Sequence, residues 1–209
     1  MPQLSSAPGL SFATIADAVT AAQVGDTVLL EGGEYEESLD LGTDGLKLSA
    51  QPSTGPVIIR SHAEPVMICR GKNVVLSDLV LEACQGDCVS VRSGSLTLTS
   101  IAIKTSIGSG LVVNGSNSSS IMHACTIKGA GKYGCLISDG AVVDAKDCTI
   151  QACTAAGVVA RGKGSLFSAH RCTIQNNGKF FPSPFASFCI FQGRLADLLD
   201  FRGQRCGGR

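Results

Sequence analysis

Ala124-Cys125-Thr126-Ile127, Asp147-Cys148-Thr149-Ile150 and Arg171-Cys172-Thr173-Ile174 are three copies of one short segment. Two looser copies precede them, Asp78-Leu79-Val80-Leu81 and Ser100-Ile101-Ala102-Ile103. The last positions, 81, 103, 127, 150 and 174, are separated by 22, 24, 23 and 24 residues. A second set keeps the same step: Val66-Met67-Ile68, Val89-Ser90-Val91, Leu111-Val112-Val113, Cys135-Leu136-Ile137 and Val158-Val159-Ala160. Each segment alternates apolar with small or polar residues and is closed by Gly, Ser, Asn or Asp, which is the chemistry of a strand followed by a turn.

A unit of about 23 residues with no helical stretch is too short for a helix-pair repeat and suits one coil of a solenoid. The Leu-rich signature of leucine-rich repeats does not recur. The repeat therefore predicts an all-β, right-handed parallel β-helix in which each strand pairs with its equivalent one coil on, about 4.8 Å away. Ahead of it, Ile15, Ala18, Val19 and Ala22 fall on one helical face, with Thr14 and Asp17 as a capping box. A helix over Thr14 to Ala22 is expected to cap the open end of the solenoid. Short strands are expected at Thr27-Val28-Leu29-Leu30, Ser38-Leu39-Asp40-Leu41, Leu46-Lys47-Leu48 and Val57-Ile58-Ile59. The organisation read from this pattern is a disordered or extended stretch over 1–10, the β-helix over 11–178, and a tail over 179–209. That tail holds six of the eight Phe and a net charge of +3 from five basic and two acidic residues. Leu195, Leu198, Leu199 and Phe201 suggest a short helix there, in a tail that caps the last coil, docks a partner or is an extension that never packs.

Composition narrows function. Seventeen basic residues balance seventeen acidic ones, so no broad field exists to hold a nucleic-acid backbone or an anionic membrane, and neither partner is expected. Met1 to Leu10 has neither the basic flank nor the apolar run of a secretory signal, which points to cytoplasm or nucleus. Ten cysteines are then reduced thiols. Cys125, Cys148 and Cys172 share one inward column with Leu79 and Ile101, so they read as core. No Cys-x2-Cys pair offers a zinc site, and no metal or other cofactor is expected.

The run Phe12-Ala13-Thr14-Ile15-Ala16-Asp17-Ala18-Val19, with Gly25-Asp26-Thr27-Val28-Leu29-Leu30 and Gly33-Glu34-Tyr35-Glu36-Glu37, resembles the opening of pectin-lyase-like β-helix proteins. The resemblance covers about residues 10–178. It implies the fold, and it leaves function open between polysaccharide-active enzymes and interaction domains. Enzymes of that superfamily set two or three acidic residues together on one face, and the columns offer no such pair. Asp78 and Asp147 lie three coils apart. Glu82 continues into Lys104, Lys128, Gln151 and Gln175, while Asp139 and Asp144 meet only Ser, Thr, Gly and Ile. Gly86-Asp87-Cys88-Val89 resembles a fragment of the polygalacturonase double-aspartate motif, with one Asp and without its companion elements. Glu34, Glu36, Glu37 and Asp40 read as a solvated acidic edge in the first turn region.

The expected role is a non-catalytic interaction module, resembling the β-helix domains of certain F-box adaptors and SHC-binding proteins. The alternative is a polysaccharide-active or sugar-binding domain. The candidate binding surface is an outward apolar stripe, Val112, Leu136 and Val159 following Ser90, beside a column of Arg92, Asn114, Ser138 and Arg161. A protein partner is expected there, with carbohydrate as the alternative ligand.

Overall fold

The computed structural model describes residues 4–5, 11–62, 65–178, 188–191 and 193–194. Seven successive coils build three parallel sheets, here faces A, B and C. Face A stacks Thr27–Leu30, Lys47–Ala50, Val74–Ser77, Gly94–Thr99, Ser118–His123, Val142–Lys146 and Leu166–His170. Face B stacks Gly33–Glu36, Val57–Ser61, Leu79–Ala83, Ala102–Thr105, Thr126–Lys128, Thr149–Gln151 and Thr173–Gln175. Face C stacks Leu39–Leu41, Met67–Cys69, Val89–Val91, Leu111–Asn114, Cys135–Ser138 and Val158–Arg161. The sequence repeat is thus the repeat of faces B and C.

In-register pairing converts each sequence column into a line of like side chains. Inward lines are buried throughout, as in Tyr35, Ile59, Leu81, Ile103, Ile127, Ile150 and Ile174 on face B. Between faces A and B the chain turns through a single residue at positive φ: Asp78 (59°), Ser100 (54°), Ala124 (52°), Asp147 (56°) and Arg171 (51°). This left-handed conformation is sterically costly away from Gly, and neighbouring coils hold it in place. Arg171 does so directly, donating from Nε and Nη2 to Asp147 at 2.6 and 2.7 Å on the coil before. At the entry to face C, Gly110, Gly134 and Gly157 stack because a Cβ there would lie within 2.3–2.7 Å of Ile or Asn side-chain atoms on the next coil.

The helix α1 (Ile15–Ala21) buries Ile15, Ala18 and Val19, the face expected of it. Thr14 Oγ1 accepts from the Asp17 N–H at 3.0 Å. The remaining exposed donors of the first turn go to Glu37, whose two carboxylate oxygens accept from Ile15 and Ala16 at 2.9 and 2.8 Å. That contact revises the acidic edge. Gly33–Glu36 is a strand, with Tyr35 inward, and the acids near it are engaged: Glu34 with Arg60, Glu36 with His62 at 3.6 Å, and Asp40 with Arg70 at 3.0 Å.

Both ends carry antiparallel strands. Leu4–Ser5 pairs with Thr27–Leu30 on face A and Ser11–Phe12 pairs with Leu4–Ser5. Phe188–Phe191 pairs with Val158–Arg161 on face C, and Gly193–Arg194 with Thr173–Gln175 on face B. The helix expected over Leu195, Leu198, Leu199 and Phe201 lies outside the described residues.

Candidate functional site

Face C brings the expected surface residues into adjacent registers: Val112, Leu136 and Val159 in one line and Asn114, Ser138 and Arg161 in the next. Arg92 precedes Asn114 by one coil, since Val91 pairs with Val113. Arg92, Asn114 and Arg161 are exposed, and Val112 and Leu136 are half-buried. Two positions differ from the simple alternation. Ser138 and Val159 are each only 1% exposed. Ser138 is a small side chain flanked in register by the longer Asn114 and Arg161, and its strand bends there into the turn at Asp139. Val159 lies between Leu136 and the antiparallel strand Phe188–Phe191. The accessible surface is therefore Val112 and Leu136 with Arg92, Asn114 and Arg161.

The stripe also extends backward. Ile68 pairs with Ser90 and is half-buried, and Arg70 stands one coil before Arg92. Stepping 22 residues back from Ser90 finds Ile68, so this part was available from spacing. Arg70 is tied to Asp40, whereas Arg92 and Arg161 make no ion pair among the described residues. They stand three coils apart, about 14 Å at the usual strand spacing.

The acids behave otherwise. On face B, Glu82 Oε2 accepts from Arg60 Nε at 2.8 Å and Oε1 from Lys104 Nζ at 3.0 Å. Arg60 Nη1 reaches on to Glu34 at 2.6 Å. Glu82 thus shares Arg60 with a second carboxylate lying on the N-terminal side, which the forward reading of its column missed. The Arg60 guanidinium, with Lys104, holds the Glu82 carboxyl below the ordinary glutamate range. Arg171 does the same to Asp147, which also faces His123 Nε2 at 3.6 Å. Both carboxylates are stabilised as anions, a poor state for donating a proton.

The inward cysteines are packed. Cys125, Cys148 and Cys172 donate their thiols to the carbonyls of His123, Lys146 and His170 at 3.3, 3.2 and 3.4 Å, beside the positive-φ corner. Burial pushes the Cys69 thiol up to about 12 and raises Cys135 and Cys153. Cys125 differs, lowered by its hydrogen bond with the Cys148 thiol, yet it is buried like the rest; the raised thiols are weak nucleophiles. Cys69, Cys84, Cys88, Cys125, Cys135, Cys148, Cys153 and Cys172 are free thiols, and no group of three or more His, Cys, Asp and Glu among the described residues is arranged to hold a metal ion. No described helix is long and apolar enough to cross a membrane.

Parallel three-faced coils, in-register inward lines and an N-terminal capping helix define a class, the β-helix solenoids. A family model described as "Right handed beta helix region" matches residues 56–192, and the chain belongs to that family. No curated protein and no solved structure matches the chain.

Proposed function

We propose that the protein is a non-catalytic interaction module that binds a protein partner along face C. The observation that carries this reading is a contrast of charge. Arg92 and Arg161 are exposed and unpaired among the described residues beside the Val112 and Leu136 stripe, while Arg60, Arg70, Lys104 and Arg171 are each committed to an acid of the same chain. Free cations edging an apolar line suit a partner that brings carboxylates and apolar side chains together. Free thiols throughout the described core suit a reducing compartment, cytoplasm or nucleus.

The test is a double substitution, Arg92→Glu with Arg161→Glu. Proteins captured by the wild type should be lost from the variant at an unchanged melting temperature. Capture that persists undiminished would remove face C as the binding surface.

The polysaccharide alternative draws on family membership and on the Glu34, Arg60 and Glu82 arrangement, an acid pair joined by a cation. Incubation with polygalacturonate and Ca²⁺ separates the two readings. Unsaturated product formed by the wild type and abolished in Glu82→Gln would replace the interaction reading.

A further inference from the structure

Face C carries two parallel outward lines of different chemistry. Val112 and Leu136, half-buried on adjacent coils, form the middle of the apolar line. Two residues further along each strand run Arg92, Asn114, Ser138 and Arg161, about 7 Å from the first line at the usual rise. Arg92 and Arg161 are exposed, make no ion pair among the described residues and stand three coils apart, about 14 Å. Between them the line dips, because Asn114 is exposed whereas Ser138 is small and buried. One coil earlier Arg70 is already held by Asp40 at 3.0 Å, so the free charges of this line are Arg92 and Arg161. Asp139, the acid nearest in sequence, lies in the turn with its carboxylate beside Gly162 of the next coil, and it forms no ion pair with Arg161.

Every strand of face C from Met67–Cys69 to Val158–Arg161 is hydrogen-bonded on both sides, so a ligand there meets side chains and cannot add as another strand. Spacing then discriminates between ligand backbones. In an α-helix, residues that return to one face after seven and eleven positions are about 10.5 and 16.5 Å apart, and neither matches about 14 Å. An extended chain covers about 13 Å in four residues, and its positions i and i+4 lie on the same side. Laid along the solenoid axis between the two lines, such a segment sets carboxylates at i and i+4 opposite Arg92 and Arg161. Residues i+1 and i+3 then fall on the other side, opposite Val112 and Leu136, and i+2 falls over Asn114 and the dip at Ser138. Taking face C as the partner surface, as proposed above, we infer that the partner presents an extended segment whose side chains run acid, apolar, small, apolar, acid. Two charge-assisted contacts hold its ends, and the apolar pair fixes its register.

Capped peptides with Glu-Leu-Ser-Leu-Glu between Gly-Ser flanks, titrated into the full chain at constant ionic strength, test the pattern through the backbone amide signals of 112–114 and 136–138. Two controls reorder the same five residues, as Glu-Leu-Glu-Leu-Ser and as Glu-Glu-Leu-Leu-Ser. The first peptide should give saturable shifts on face C and bind about tenfold more tightly than either control, as expected for one charge-assisted contact. Arg92 and Arg161 are exposed, so Arg92→Gln and Arg161→Gln retain the fold, and each should remove that advantage. Lys146→Gln on face A should leave it. Equal affinity for the three peptides, no saturable shift from the first, or an advantage that survives Arg161→Gln overturns the inference. Failure of the interaction reading shows differently, as captured proteins that remain bound to the variant Arg92→Glu with Arg161→Glu. Capture lost in that variant while the three peptides bind alike would keep face C as the surface and discard the extended segment.

Discussion

The first coils and the last coils solve the same packing problem with different side chains. Along the inward line of face A the residues run Val28, Leu48, Leu76, Leu98, Met122, Ala145 and Ala169. At the neighbouring corner they run Leu79, Ile101, Cys125, Cys148 and Cys172, all buried. Face B meanwhile keeps Ile along one inward line, from Ile103 through Ile127 and Ile150 to Ile174. The core therefore shrinks on one side only. Where branched side chains fill the early corner, thiols that also bond to the turn carbonyls fill the late one. Each buried Leu contributes roughly 1.5–3 kcal/mol of transfer free energy, and Ala and Cys contribute less. The N-terminal coils thus carry more of the hydrophobic stabilisation, and their outward charges are also the ones most fully paired.

The sharpest way to break this comparison is to exchange volumes between the halves. Leu76→Ala should cost about 3–4 kcal/mol in denaturant unfolding, as for a fully buried Leu leaving a cavity. Ala145→Leu should also destabilise, by about 1–3 kcal/mol, because the late corner is filled to its own smaller volume. If Ala145→Leu stabilises instead, the late coils are underpacked rather than complementary. A smaller effect of opposite sign is expected midway. Ser120 is inward, 2% exposed, and its hydroxyl has no hydrogen-bond partner among the described residues, between Leu96 and Val143 in register. Ser120→Val should raise stability by about 1 kcal/mol, measured by thermal melting, and a fall would mean that the hydroxyl is satisfied.

The smallest effect is the pH response of the early charges. Because Arg60 and Lys104 lower the folded-state value of Glu82, its ion pairs stabilise the protein above the ordinary glutamate value. That contribution is lost as the pH falls through the lowered value. The wild type should melt above Glu82→Gln near neutrality, and the difference should close on acidification below about pH 4.3. A difference that stays constant with pH would exclude the ionised network as its source.

Faces B and C were legible because their inward residues stay apolar and repeat at one step. Face A was harder to read: its outward positions are Ser95, Thr97, Ser119 and Asp144, and its inward ones fade to Ala145 and Ala169, so the alternation carries little contrast. Columns such as Glu82, Lys104 and Lys128 followed from spacing alone. The bond from Glu37 to the start of α1 did not, because it joins residues about one coil apart in different kinds of element. The burial of Ser138 and Val159 likewise depends on what stands on either side of them, a property of neighbours rather than of alternation.

The reversed strands at the C-terminal end bear on growth. A parallel ladder spaces its hydrogen bonds evenly, whereas an antiparallel one alternates close and wide pairs. On faces B and C the outermost described strands, Gly193–Arg194 and Phe188–Phe191, run against all the others. A strand arriving in the solenoid's own direction would pair antiparallel with them, so the parallel in-register ladder is not continued on two of the three sides. The stacking of like side chains in parallel register, which a fibril needs from one layer to the next, is thus interrupted on those two faces by the same chain.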